Sequence, residues 1–139
     1  MRLKKILTRF LNTKIYNLYM DKEIKISLDN AQTYLLSKQS QEGCWVSETI
    51  TESKGPEYLQ KPIVRTSEII DALIHLELEN TSPINKGIYY CYKEKVEDTD
   101  VLDLLALKLK ALRYSNVQYI QKKAKQILKI IIERQNKEG

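Results

Sequence analysis

The sequence predicts an all-α protein, and three observations carry that expectation. Apolar residues recur at helical spacing through most of the 139 residues. Helix-breaking residues are scarce, with 4 Gly and 3 Pro, while Lys, Ile, Leu and Glu are plentiful. No segment shows the alternation of a half-buried strand.

The length suits one domain with a single core. Hydrophobic residues make up 42% and charged residues 29%, the balance of an ordinary globular protein. No apolar run approaches the roughly 20 residues needed to span a bilayer. The opening "MRLKKILTRFLNTK" lacks the uninterrupted apolar core and small-residue cleavage site of a signal peptide. The expected location is cytoplasmic, with peripheral membrane contact as an open alternative.

The net charge of +5 is concentrated at one end. Residues 1–25 carry Arg2, Lys4, Lys5, Arg9, Lys14, Lys22 and Lys25 against Asp21 and Glu23, seven minus two. The remainder balances at sixteen against sixteen, so no nucleic-acid partner is expected for the main body. Cys44 and Cys91 are far apart and lack CxxC spacing, which predicts two buried thiols rather than a disulfide framework. With His75 the only histidine, neither a metal site nor a cofactor is expected.

In chain order, the first element spans residues 3–19. Leu7, Leu11, Ile15 and Leu18, joined by Leu3 and Phe10, form a stripe with basic residues on the other faces. Such a segment either packs on its own protein or lies on an anionic membrane through residues 2–19. Residues 1–25 form an N-terminal region in this reading, and 26–139 a helical domain. A second helix is expected from Ser27 to Gln39, with Leu28, Ala31, Leu35 and Leu36 apolar. Residues 46–65, holding Gly55, Pro56 and Pro62, read as a long loop.

Thr66 or Ser67 then caps "SEIIDALIHLELE". "INKGIYYCYKEKV" makes the next helix after the break at "TSP". Thr99 or Asp100 caps "VLDLLALKLKAL", whose apolar residues wrap most of its circumference and predict burial on several sides. The last helix, capped by Ser115 or Asn116, carries the stripe Val117, Ile120, Ala124, Ile127 and Ile131. The count is about six helices.

A phrase repeats. Gln39-Ser-Gln-Glu-Gly43 aligns with Gln135-Asn-Lys-Glu-Gly139, with Leu35 and Ile131 four residues before each Gln. A weaker copy surrounds Gly87, and "TSEIIDALIHL" aligns with "TDVLDLLALKL". The helices are therefore expected as repeated hairpins.

The stretch Ala31, Leu35, Gln39, Gly43 and Trp45 resembles the QW motif of the terpenoid cyclase and protein prenyltransferase superfamily. Asn30 stands where that motif has Lys or Arg. Residues 27–139 are similar to the prenyltransferase and squalene-oxidase repeat, which implies hairpins of an α/α toroid. It also implies an isoprenoid ligand, and a structural clamp of Gln39, Gly43 and Trp45, echoed by Gln135 and Gly139. The clamp is expected because a glutamine at a helix end can serve open backbone groups there and at the next helix start, while Gly permits the sharp exit.

Class II cyclases of that superfamily use a DxDD acid. The nearest text here is Asp98-Thr99-Asp100-Val101, broken at its last position, which leaves Asp98 and Asp100 as the candidate acids and a loop charge and helix cap as their structural roles. The prenyltransferase zinc triad has no counterpart. The chain supplies about two and a half hairpins where the resemblance implies about six for a closed ring, so the ring is read as incomplete and the domain as truncated at its C-terminal end. The uncovered stripe of the last helix then predicts self-association or a partner chain. Three functional readings follow: an incomplete cyclase-like module without activity of its own, the N-terminal part of an active cyclase, and a non-enzymatic helical-repeat module that binds protein.

Overall fold

The computed structural model describes residues 22–46, 61–78, 81–98 and 101–138. The described residues form five α-helices and no strand: α1 (Lys22–Ser37), α2 (Pro62–His75), α3 (Ser82–Lys93), α4 (Leu102–Leu112) and α5 (Gln118–Glu138). The expected N-terminal helix, most of the loop 46–65, Thr99, Asp100 and Gly139 lie outside the described residues. The chain divides into two compact units, Met1–Tyr34 and Leu35–Gly139, and the division falls within α1. In the first unit, Ile24, Ile26 and Tyr34 are exposed, and α1 buries no residue.

The second unit holds the core. Its centre is α4, which packs against α2, α3 and α5. Leu104, Leu105, Ala111 and Leu112 of α4 are fully buried against Ile63, Ile70 and Leu73 of α2, Ile88 and Cys91 of α3, and Ile127 of α5 within one cluster. The largely apolar circumference of α4 is explained by these three neighbours, while Asp103 and Ala106 remain exposed. Cys44 and Cys91 are both buried free thiols, and burial pushes the Cys91 thiol up to about 12.

Several boundaries differ from the sequence expectation. Helix α2 begins at Pro62, four residues before Thr66, with Pro at the first helical turn and Lys61 as the flanking residue. Proline is suited to that place, since its missing N–H would be unbonded there anyway and its φ is already helical. Thr66 and Ser67 consequently sit inside α2 with no exposure and cap nothing. Pro83 opens α3 in the same way. Helix α4 starts after Val101, which makes no side-chain capping bond, so neither Thr99 nor Asp100 takes the boundary position. α1 is already helical at Lys22, before the expected Ser27, and ends at Ser37, before Gln39. At the start of α5, Ser115 Oγ accepts from Val117 N at 3.1 Å, and Gln121 Nε2 donates to the Ser115 carbonyl at 3.1 Å.

The end of α2 is a Schellman turn without glycine. Glu77 N donates to the Ile74 carbonyl at 3.0 Å and Leu78 N to the Leu73 carbonyl at 3.2 Å. Glu77 takes the left-handed position at φ 65°, at a cost of roughly 1–2 kcal/mol for a residue with a Cβ. Leu78, packed against the core just beyond, anchors the reversal.

The stripe of α5 divides in two. Ile120, Ala124 and Ile127 are buried, whereas Val117 stays exposed. The stripe, expected to be partly uncovered, is covered at its central residues because the last helix packs directly on α4, while Ile131 is half-buried. The exposed apolar residues here are Tyr119, Leu128 and Ile132 of α5 and Val117 just before its start.

Candidate functional site

Three constellations in the second unit gather polar side chains that join separate elements. The first is the corner after α1. Gln39 Nε2 donates to the Gly43 carbonyl at 2.9 Å and to the Pro83 carbonyl, in the first turn of α3, at 2.7 Å. One amide group thus closes its own turn and holds a helix 44 residues away in sequence. Trp45 Nε1 donates to the Leu35 carbonyl at 2.7 Å, which serves one of the carbonyls that a helix leaves open in its last turn. The backbone N–H of Trp45 donates to Thr66 Oγ1 of α2 at 3.0 Å. Trp45 is only 2% exposed.

The glycines make this packing possible. Gly43 has φ +96°, and a Cβ there would lie 2.5 Å from the Lys86 carbonyl oxygen of α3. Both the backbone angle and the close approach call for glycine. On α3, a Cβ at Gly87 would come within 3.0 Å of Trp45 Cζ3 and of Ile70 Cδ1. The indole therefore lies against the bare backbone of α3. Between them, Ser40 Oγ accepts from Cys44 N at 3.1 Å and Ser40 N donates to the Cys44 carbonyl at 2.9 Å, which tightens the five-residue turn.

The second constellation centres on Lys108 of α4, which is 1% exposed. Its ammonium donates to the Glu94 carbonyl and to Glu97 Oε1, the latter at 2.9 Å. Glu97 Oε1 also meets Lys123 Nζ of α5 at 3.1 Å, and Glu97 Oε2 accepts from Val96 N at 3.0 Å. Arg134, further along α5, donates to the Glu97 carbonyl at 3.0 Å. Burial by itself would raise the Glu97 carboxyl, but hydrogen bonds from Lys108, the backbone and Lys123 outweigh it and hold the pKa at about 2. The carboxylate is thus an anion at neutral pH, held between a buried cation and a half-buried one.

A third, more exposed group joins α2 to the end of α4. Asp71 accepts from the Tyr114 hydroxyl at 2.5 Å and from Arg113 Nη2 at 3.2 Å, and pairs with Lys110 Nζ at 3.1 Å. The Tyr114 hydrogen bond is the main cause of the lowered Asp71 pKa.

Of the two candidate acids, only Asp98 lies among the described residues. Asp98 lies exposed in the turn after Glu97, and Asp100 lies outside the described residues. An acid that must hold its proton near neutral pH needs burial and neighbouring carboxyls, and an exposed turn offers no burial. Gln135 is exposed on α5, in contrast to its counterpart Gln39, which is part-buried, and Ala31 is exposed on α1. No group of three or more His, Cys, Asp or Glu suited to a metal ion occurs among the described residues.

Sequence reasoning missed Lys108, and read Thr66 and Ser67 as caps where they bond Trp45 N and the Leu107 carbonyl. Lys108 had a readable signal: it lies four residues after Leu104 and four before Leu112, in the middle of a stripe where a helix facing a core demands an apolar side chain. Against known protein families, characterised proteins and solved structures, the chain matches none at a significant level.

Proposed function

We propose that this chain is a non-catalytic helical-hairpin module, built on the pattern that the Gln39–Gly43–Trp45 phrase marks in the terpenoid cyclase repeat. The observation that carries this reading is how the buried polar groups are used. Every buried side-chain nitrogen and oxygen among the described residues has a hydrogen-bond partner. Thr66 accepts from Trp45 N, Ser67 donates to the Leu107 carbonyl at 2.8 Å, and Lys108 is taken up by Glu94 and Glu97. These bonds join α2 to the corner and to α4, and α4 to the turn after α3.

A cyclase acid would have to be buried to be held protonated, and the cation it generates must be kept from water. Asp98 meets the first condition poorly, being exposed. The module reading accounts for the corner as architecture: its polar side chains bind main-chain groups of the turn, of α1 and of α3.

The test is to incubate the purified chain with squalene and, separately, with geranylgeranyl diphosphate, and to analyse the extracts by gas chromatography. The expected result is no cyclic product above a protein-free control. Turnover that disappears in Asp98→Asn or Asp100→Asn would replace this reading with the cyclase one.

A further inference from the structure

We propose that the outer flank of α5 is a docking surface for an anionic lipid membrane. Val117, Leu128 and Ile132 are 42%, 45% and 47% exposed. Leu128 and Ile132 are one turn apart, and Val117 lies three turns earlier on the same side, so the three mark one line about 22 Å long at 1.5 Å per residue. Beside this line, Lys122, Lys125 and Lys129 are exposed, Lys125 and Lys129 one turn apart, with Lys129 meeting only the exposed Glu133 at a long 3.8 Å. Tyr119, 52% exposed, stands at the N-terminal end of the helix.

Charge decides what this flank can receive. Helix α5 carries six basic residues against two acidic ones. A second copy laid along the same flank would set lysines against lysines, and that repulsion disfavours self-association there. An anionic bilayer offers what the flank lacks, negative charge for the lysines beside an apolar layer for the aliphatic side chains. Lysine suits this place, because its stem can lie along apolar surface while the ammonium reaches a headgroup. The rest of α5 is already held by α4 through Ile120, Ala124 and Ile127, so docking would need no unfolding of the helix. This inference stands on the α5 surface and is independent of the clamp.

The test measures sedimentation of the full chain with vesicles of equimolar phosphatidylserine and phosphatidylcholine, and with phosphatidylcholine alone. Binding is expected to the first and to be weaker by at least about tenfold to the second, and to fall as salt is raised. Lys122→Gln, Lys125→Gln and Lys129→Gln together should weaken it by roughly 100-fold, at about fivefold per lysine. Leu128→Ser with Ile132→Ser should weaken it by about tenfold, because half-exposed side chains add only part of their apolar area. All five side chains are exposed, so the melting temperature should hold, which separates lost docking from lost folding. If the wild-type chain ignores anionic vesicles, or if both sets of variants bind as it does, the proposal is wrong. The latter result would assign any membrane binding to residues 1–21, and the former would leave the flank to an acidic protein partner.

Discussion

Replacing Trp45 by alanine should destabilise the second unit by roughly 3–5 kcal/mol, the usual range for deleting a large buried aromatic side chain. Several contributions act together here. The indole is 2% exposed and lies against Gly87, where no side chain could fill the space it leaves. Its Nε1–H serves the Leu35 carbonyl, which then keeps only the bond from Lys38 N at 3.1 Å. Gln39→Leu should cost about 1–3 kcal/mol, since it strips a partner from two carbonyls at once, those of Gly43 and Pro83. Urea denaturation followed by circular dichroism checks both. The two changes touch the same turn, so the double variant should lose less than the sum of the single losses. Unmoved midpoints in both single variants would mean that this corner holds nothing together.

The second large effect is expected at the Lys108 pair, and it is asymmetric. Glu97→Ala leaves the ammonium of Lys108 buried with only the Glu94 carbonyl for company, and should cost roughly 3–5 kcal/mol. Lys108→Met removes the buried charge itself and fills much of the same space, while Glu97 keeps Lys123. Its cost should be smaller, on the order of 1–2 kcal/mol. Glu97 also sets an acid dependence. Its pKa is about 2 in the folded protein against 4.5 for an unperturbed glutamate. The unfolded chain therefore takes up the proton first as pH falls, so the stability that Glu97 contributes is complete above about pH 4.5 and declines toward pH 2. In Glu97→Gln that part of the acid loss should be absent. Melting temperatures measured from pH 6 down to pH 2 test both statements. Equal losses for Glu97→Ala and Lys108→Met would show that the pair acts only through packing.

Much of this architecture was legible from periodicity. The apolar circumference of "VLDLLALKLKAL" announced a helix with neighbours on several sides, and α4 packs against three others. The phrase Gln39 to Trp45 announced a corner, because a lone Trp after a helix-ending Gln and Gly has no place in a periodic stripe. What the sequence could not announce is which distant carbonyl the glutamine would find. Pro83 is remote in sequence, and its proximity to Gln39 is set by how α3 folds back past Gly43.

The proline boundaries were misread because a proline breaks the interior of a helix but is welcome in its first turn, and nothing local to Pro62 says which applies. Thr66 was misread for the same reason. Once Pro62 opens the helix, Thr66 lies more than a turn inside it, and its hydroxyl becomes a partner for Trp45. Lys108 was hidden by its charge, since a lysine on a helix is usually solvated. Only the turn carrying Glu94 and Glu97 makes its burial tolerable.

Trp45, as the only tryptophan, gives its corner a spectroscopic reporter of its own. The central claim is that the corner and the core of the second unit form one structure. The most direct measurement compares, across a urea titration, the fluorescence of Trp45 with mass-spectrometric amide exchange over Leu104–Leu112 at the centre of that core. If the corner locks the helices together, the emission should be blue-shifted in the native protein and should move red at the same urea concentration at which the α4 amides lose protection. A red shift completed while those amides are still protected would show that the corner opens without the core, and would contradict the account.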